Sequence, residues 1–324
     1  MEKLDIKNKK ILHSLDINSR QTNSQIAKRV GLSKQLVGQR LRKIQEVVSS
    51  YYTVIDVSKL GFTIHKSFLS LQNLDHEKEK KMITFLKAHP DVVWIASCEG
   101  KYDLAFGTWA KDIEYLDKTL KGVSKKFGKH ISERQIATII KGFYFIRDYL
   151  VKKNKPSSFR KSFFGAVPNK AKVDMKDWKI LHQIANNPRF SIINLAKKVK
   201  LSPDSIRNRI KKMESAGIIK HYNFVPNEET YPFLHYKLLL GLRNLVPEDE
   251  KRLIEYCRKN QNIVYTVKAL GPWEFEIDLE VESTKQFREI MMNIKTEFKD
   301  IIKEYSTLHI YKVHKYNFCP SIQA

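Results

Sequence analysis

Two segments, 34–43 and 203–212, place Lys, Arg, Gln and Asn side chains at helical spacing. In the first segment Val37, Leu41 and Ile44 share one helical face, so the cations and amides face outward. Arg, Asn and Gln make paired hydrogen bonds to base edges in the major groove, and Lys and Arg bind phosphate. This chemistry predicts contact with double-stranded DNA, against the simpler alternative of a solvated basic helix face. The predicted DNA-binding residues are Lys34, Gln35, Gln39, Arg40, Arg42, Lys43, Ser205, Arg207, Asn208, Arg209, Lys211 and Lys212.

The two segments are not equivalent as DNA-binding faces. Gly38 lies in the middle of the first segment, where glycine costs a helix about 1 kcal/mol relative to alanine. It either allows a close approach of the backbone to DNA or simply weakens the helix. The second segment carries Asp204, which repels phosphate but accepts a hydrogen bond from cytosine. We therefore predict that the two segments prefer different half-sites and that one of them dominates the affinity.

The remaining reactive side chains form no catalytic or metal-binding pattern. The three cysteines, Cys98, Cys257 and Cys319, are scattered, which fits a reducing, cytoplasmic setting better than a disulfide framework. His309 and His314 are five residues apart on a predicted strand and point to opposite faces. The sequence contains no HExxH, GxxxxGK[ST] or GxSxG motif. We predict no catalytic residue, no metal and no resident cofactor.

Charge and length limit the class of partner. The chain has 324 residues and a formal net charge of +24, and an excess of this size implies a polyanion such as nucleic acid or a membrane surface. A membrane span needs about 18–20 consecutive apolar residues, and the sequence has no such run. At about 100–200 residues per domain, a chain of this length is expected to form two or three domains.

The sequence repeats itself. With an offset of 169 positions, residues 5–43 overlay residues 174–212 with 15 of 39 positions identical. The offset then changes to 171, because residues 216–217 (Ala-Gly) have no counterpart in the first copy. Two turns of the form Gly-x-aromatic-acid, Gly100–Asp103 and Gly271–Glu274, correspond at the new offset. The chain is therefore predicted to be one module of about 150 residues written twice.

Each module begins with three short helices and continues with alternating strands and helices. Gly31 suits the left-handed end of the second helix, and Ser33 suits the N-cap of the third. A short β pair after the third helix, around Ala216-Gly217 in the second module, is expected to form a wing. The fold class is α+β, with a winged helix-turn-helix and a ferredoxin-like βαββαβ domain in each module. The predicted domains are 1–57 (winged helix-turn-helix 1), 62–150 (ferredoxin-like 1), 152–173 (basic linker), 174–228 (winged helix-turn-helix 2) and 233–318 (ferredoxin-like 2).

The basic linker 152–173 has seven basic residues and no acidic ones. Its phenylalanines, Phe159, Phe163 and Phe164, indicate that it docks on the rest of the protein.

A winged helix-turn-helix followed by a βαββαβ domain resembles the Lrp/AsnC, or leucine-responsive, family of transcription regulators. The resemblance occurs once in each module and together covers nearly the whole chain. The resemblance rests on residues 201–222, from the turn through the third helix, and on the strands around Gly100 and Gly271. It implies a sequence-specific DNA-binding regulator whose two modules pair as an internal pseudo-dimer. Association of several chains into a homo-oligomer is also compatible with the resemblance. Family effectors, commonly amino acids, bind near the glycine turn. The effector-binding residues implied here are Gly100, Tyr102, Asp103, Gly271, Trp273 and Glu274.

Three alternatives stay open at this point. Tyr102 and Trp273 are more simply explained as core aromatics, and Asp103 and Glu274 as surface charges. Sirohaem decarboxylases share the fold and some are tandem, but the strand 93–98 carries no His-Asn-Tyr motif and no arginine. A non-specific nucleic-acid or architectural binder would use the charge without choosing a sequence.

Overall fold

A computed structural model describes residues 4–151, 162–165, 171–317 and 319–320. The first module begins with α1 (Ile6–Ile17), α2 (Asn23–Val30), α3 (Lys34–Ile44) and β1 (Val48–Ile55). It continues with β2 (Thr63–Leu71), α4 (His76–Ala88), β3 (Val92–Gly100), β4 (Leu104–Ala110), α5 (Ile113–Phe127) and β5 (Ile131–Tyr144). The three helices and the βαββαβ order predicted from the sequence are confirmed.

The second module repeats this order after a short strand, β6 (Ser162–Phe164), in the linker. Its first part is α6 (Met175–Ala185), α7 (Ile192–Val199), α8 (Pro203–Ser215) and β7 (Ile219–Pro226). Its second part is β8 (Leu234–Leu242), α9 (Pro247–Lys259), β9 (Ile263–Leu270), β10 (Phe275–Val281), α10 (Thr284–Glu297) and β11 (Ile302–Tyr316). Within the described residues, no helix has both the length and the apolar character that crossing a membrane requires.

The turn of each helix-turn-helix unit forms as its residues dictate. Gly31 ends α2 with a left-handed φ of 67°, and the Ser33 hydroxyl accepts a hydrogen bond from the Leu36 amide at 3.2 Å. In the second unit Lys200 takes the place of Gly31 with a φ of 58°, and Ser202 caps α8 in the same way as Ser33 caps α3. The two units therefore share one backbone conformation although only one of them has the favoured glycine.

The strand after each third helix does not form a wing within its own module. Instead β1 and β7 pair antiparallel with each other, from Val48 opposite Pro226 to Ile55 opposite Ile219. The expected turn at Ala216-Gly217 ends a helix rather than joining two strands. Gly217 has a φ of 69°, and the Ile218 amide bonds back to the Met213 carbonyl, as in a helix-terminating motif. The predicted hairpin is therefore replaced by a ribbon that joins the two helix-turn-helix units.

The eight strands of the two βαββαβ domains close into one antiparallel barrel. Each domain contributes four strands, in the orders β5-β2-β4-β3 and β11-β8-β10-β9. The long last strand of each domain changes partner along its length: β5 pairs first with β2 and then with β9, and β11 pairs first with β8 and then with β3. The modules therefore pair within one chain, as predicted, and among the described strands closure leaves neither four-stranded sheet with a free edge.

Residues alternate along the barrel strands between an outer and an inner face. On the outer face, Leu238, Ile277 and Leu279 belong to an apolar cluster that includes residues of α9 and α10. Leu104 and Phe106 belong to the corresponding cluster with residues of α4 and α5. The helices cover the outside of the barrel, and its interior faces away from them.

The linker docks at one rim of the barrel, as predicted. β6 pairs with the end of β5, and the Phe164 ring lies parallel to the Tyr265 ring, with centroids 6.0 Å apart. A Cβ at Gly142 would lie 2.4 Å from the Phe164 ring, so only glycine leaves room for this side chain. The corresponding residue of the second module is Val313. Phe159 and the side chain of Phe163 lie outside the described residues.

Candidate nucleic-acid interface and inter-module core

The outward face of α3 carries most of the predicted DNA-binding residues of the first module. These side chains are exposed: Lys34, Gln35, Gln39, Arg42 and Lys43. With Gly38 and Asn23 of α2, four of them line a shallow groove. The sequence places the cations here because Val37 and Ile44 are buried on the opposite face. The arrangement can present one cationic helix face to a polyanion.

The second module presents a comparable face on α8. Arg207, Asn208, Lys211 and Lys212 are exposed, whereas Ser205 is half-buried and its amide bonds to the N-cap Ser202. Arg207 also forms an ion pair with Asp204, one helical turn earlier. This pair lowers the positive potential at the start of α8, so the two faces differ in charge as well as in shape.

Arg40 and Arg209, one of the two pairs of predicted contacts that are identical in both modules, turn toward their own domains. The Arg40 guanidinium donates to Asp5 at 2.5 Å and to Asn8 at 2.9 Å. Arg209 donates to Asp174 at 2.8 Å and to Asp177 at 2.7 Å. Each arginine thereby ties the third helix to the start of the first. Their identity in the two modules reflects this shared packing, and DNA contact by these two residues stays a prediction.

Gly38 offers a test of how closely DNA approaches α3. A Cβ at Gly38 would meet its nearest neighbour, the Asn23 amide nitrogen, at 3.6 Å, which is ordinary contact. We therefore expect Gly38→Ala to raise the free energy of unfolding by up to about 1 kcal/mol. Because the methyl group would enter the groove of outward cations, DNA affinity should fall at the same time. Denaturant titration and DNA titration of this variant measure both quantities, and unchanged affinity would show that Gly38 is only a weak helix position.

The two glycine turns lie against the opposite module. A Cβ at Gly100 would lie 2.5 Å from the Thr307 carbonyl oxygen of β11, and one at Gly271 would lie 2.6 Å from the Ile136 carbonyl oxygen of β5. Both glycines also have positive φ, 126° and 152°. The twofold-related contacts explain why glycine recurs at both positions.

The other four residues implied as an effector site have partners inside the chain. Tyr102 and Trp273 are buried and pack around Phe68, with ring centroids 5.6 Å and 4.8 Å from it. Asp103 accepts from the Leu71 amide and Glu274 from the corresponding Leu242 amide, each at 2.6 Å. The aromatic pair therefore belongs to the core, and the carboxylates satisfy strand-end amides. Effector binding at these turns stays a prediction.

Inside the barrel lies a network of buried charges that sequence reasoning missed. The Lys66 ammonium donates to Glu276 at 2.5 Å, and Lys237 donates to Glu276 at 3.1 Å and to Asp278 at 2.6 Å. Burial lowers the pKa of Lys66 below its usual range despite its ion pair with Glu276. For Lys237 burial acts in the same direction, but Asp278 and Glu276 outweigh it and raise the pKa. Glu276, Asp278 and Glu280 alternate with apolar residues along β10, and the closed barrel buries all three.

A second buried cluster connects the first helix-turn-helix unit with the barrel of the other module. Arg147 donates to Asp16 of α1 at 2.6 Å and, with two nitrogens, to Glu280 of β10 at 2.8 Å. Beside it, His13 and Asp148 form a hydrogen bond of 2.9 Å. The position of Asp16 in the second module is Ala185, so the second unit lacks this connection.

A cavity of about 110 Å³ lies between this network and the β1–β7 ribbon. Its walls combine charged and aromatic side chains from both modules, among them Lys66, Trp94, Gly107, Tyr265, Asp278 and Tyr316. We call it the chamber.

Comparison with known proteins agrees with this architecture. The AsnC-type helix-turn-helix domain matches residues 4–45, and the winged helix-turn-helix DNA-binding domain matches residues 174–220. The transcriptional regulator AldR of Mycolicibacterium smegmatis is 30% identical over 118 residues, which are 36% of this chain and 69% of AldR. LrpC of Bacillus subtilis is 28% identical over 117 residues, 35% of this chain and 76% of LrpC. The chain belongs to the Lrp/AsnC family of transcription regulators.

A solved structure matches both modules at once. The siroheme decarboxylase NirDL superposes with a TM-score of 0.60 at 13% identity, covering 98% of this chain and 94% of NirDL. Its complex with an iron-uroporphyrin III analogue gives a TM-score of 0.61 at 11% identity, with 98% and 95% covered. At this identity the likeness shows a shared two-module fold.

Proposed function

We propose that the protein is a sequence-specific DNA-binding transcription regulator that holds two helix-turn-helix units in one chain. The observation that carries the proposal is the ribbon of β1 and β7, which joins the two units in the way that a dimer contact would. Each unit exposes three cations of its third helix, Lys34, Arg42 and Lys43 in the first and Arg207, Lys211 and Lys212 in the second. The pair can therefore engage two half-sites without a second chain.

Charge and family membership support this function. The net charge of +24 suits a partner with dense phosphates. The relatives AldR and LrpC are named as transcriptional regulators. As part of the same proposal we place the protein in the cytoplasm. By resemblance to its family, we also propose an amino-acid effector at the glycine turns and association of whole chains into a homo-oligomer.

The fold shared with NirDL suggests a second candidate function, decarboxylation of a tetrapyrrole. The size and the residues of the barrel interior argue against this function. The chamber, at about 110 Å³, is well below the roughly 300–1,000 Å³ of pockets that hold drug-sized ligands. Lys66, Lys237 and their carboxylate partners occupy the interior beside it. These residues do not fit a tetrapyrrole, so we propose that the protein is not an enzyme of this kind.

Selection of bound sequences from random duplex DNA tests the function. We expect a gapped, imperfect inverted repeat, bound at least about 10³-fold more tightly than random DNA at fixed salt. Arg42→Ala and Lys211→Ala, changed singly, remove corresponding cations of the two units. Each should weaken binding to the selected duplex, by about 1–3 kcal/mol where the side chain contacts a base and with a flatter salt dependence where it contacts phosphate.

Lys121→Ala is the matched control for these variants. Lys121 is exposed on α5 and pairs with Asp117, so its removal also costs one positive charge but on the outside of the barrel. It should leave DNA affinity nearly unchanged. Equal affinity for selected and random DNA would identify a non-specific binder, and equal losses for both variants on every half-site would contradict the unequal half-sites.

A further inference from the structure

The two modules differ in the inward-facing residues of two corresponding barrel strands, β4 and β10. Lys66 of β2 and Lys237 of β8 occupy corresponding positions. Beside Lys237, β10 carries Glu276 and Asp278, whereas the corresponding residues of β4 are Ala105 and Gly107. One buried lysine therefore has two carboxylates on its neighbouring strand, and its counterpart has none there.

Lys66 consequently has donors to spare. Its side chain is only 8% exposed, and among the described residues Glu276 is the sole carboxylate within ion-pair distance. An ammonium group has three N–H donors, and a buried polar group without a partner costs free energy. The ammonium also lies 5.6 Å from the Trp94 ring centroid and 5.5 Å from the Tyr265 ring centroid.

The spare donors and the chamber coincide. Lys66, Trp94, Gly107 and Tyr265 all line the chamber. A single water needs about 10–15 Å³ of such space, so the chamber of about 110 Å³ has room for a small organic molecule. Apolar surface dominates the walls, which suits a ligand with one polar head and an apolar body.

We propose that the chamber binds a small organic carboxylate, whose head group takes the place beside Lys66 that the carboxylates of β10 take beside Lys237. The apolar or aromatic body of the ligand would pack among Trp94, Tyr265 and Tyr316. This site is separate from the glycine turns, since Tyr102 and Trp273 do not line the chamber. The chamber lies between the two modules, with walls from both. The proposed ligand binding does not depend on DNA binding.

Such a ligand would contact both the β1–β7 ribbon and the docked segment of the linker. The chamber wall includes Tyr52 of β1 and Val225 of β7, which belong to the ribbon between the helix-turn-helix units. It also includes Phe164, the docked residue of the linker. Occupancy can shift DNA affinity only if the ligand binds the free and DNA-bound forms with different affinity.

Calorimetric titration of the full chain with benzoate, in the absence of DNA, tests the proposal. Benzamide is the matched probe, because it keeps the ring and removes the charge. We expect saturable benzoate binding and a raised melting temperature, with at least tenfold weaker binding of benzamide. Lys66→Met should abolish the preference for benzoate, and it leaves Glu276 paired with Lys237.

A second variant keeps the test decisive if Lys66→Met does not fold. Val313→Phe fills the chamber from β11 while Lys66 stays in place, and it should also abolish benzoate binding. Asp103→Asn, at a glycine turn, should leave it unchanged. The proposal is overturned if neither probe binds the wild-type chain, if both bind equally, or if a folded Lys66→Met or Val313→Phe chain binds benzoate like the wild type.

Discussion

Arg147→Met is expected to destabilise the protein by about 3–5 kcal/mol, the usual cost of removing one partner from a buried ion pair. Asp16 and Glu280, the acids that Arg147 bridges, are both almost completely buried. Methionine fills similar space without charge, so the variant removes the cation that pairs with both buried carboxylates. Denaturant titration measures the loss.

The position of the Asp16–Arg147–Glu280 cluster predicts which helix is destabilised in Arg147→Met. Asp16 belongs to α1 of the first helix-turn-helix unit, and Glu280 belongs to β10 of the second module. The corresponding helix α6 has Ala185 in place of Asp16. Hydrogen exchange of Arg147→Met should therefore speed up in α1 and leave α6 nearly unchanged. Equal acceleration in both helices would show that the cluster does not act as a specific link.

A neutral cluster is the control for charge as the cause. The triple variant Asp16→Asn, Arg147→Met and Glu280→Gln removes all three charges and keeps similar volumes. Replacing a whole buried ion cluster by neutral groups is often tolerated, because no charge remains uncompensated. We expect the triple variant to recover most of the stability that Arg147→Met loses. A triple variant as unstable as Arg147→Met would assign the loss to packing.

The repeat allowed much of the fold to be predicted from sequence. Asn73 and Asn244 correspond at the offset of 171 positions, and both adopt a left-handed φ, near 48°, that asparagine tolerates. Helical periodicity located α3 and α8, and glycine with serine located the turns before them. These features depend on neighbours within a few residues, which is why the sequence alone reveals them.

The features that were missed depend on the pairing of the two modules. The pattern Glu276-Ile-Asp278-Leu-Glu280 also occurs in strands with one solvated face, and nothing local indicates that the barrel closes over these acids. Arg40 and Arg209 were assigned to DNA on residue type, but the acids that hold them lie more than 30 positions away. A comparison of the two modules position by position would have found both signals. The acids occur in only one β strand, whereas the arginines and their partners Asp5 and Asp174 occur in both modules.

Gly271→Ala is expected to disrupt the pairing of the modules, with a total cost well above that of an ordinary surface change. The added Cβ would lie 2.6 Å from the Ile136 carbonyl oxygen and 3.1 Å from the Ala137 Cα. These are backbone atoms of β5, whose residues 136 and 137 pair with β2, so they cannot move away without breaking strand hydrogen bonds. Overpacking and a φ of 152° each cost about 1–3 kcal/mol for a residue other than glycine.

Gly100→Ala should behave in the same way, since its Cβ would lie 2.5 Å from the Thr307 carbonyl oxygen of β11. Gly122→Ala is the control, because Gly122 lies exposed in α5 and its added Cβ would meet nothing within 4 Å. There alanine should stabilise by up to about 1 kcal/mol, as in any exposed helix interior. Thermal and denaturant unfolding of the three variants separate the two effects. If Gly100→Ala and Gly271→Ala were as stable as Gly122→Ala, the turns would have to lie farther from β11 and β5 than these distances indicate.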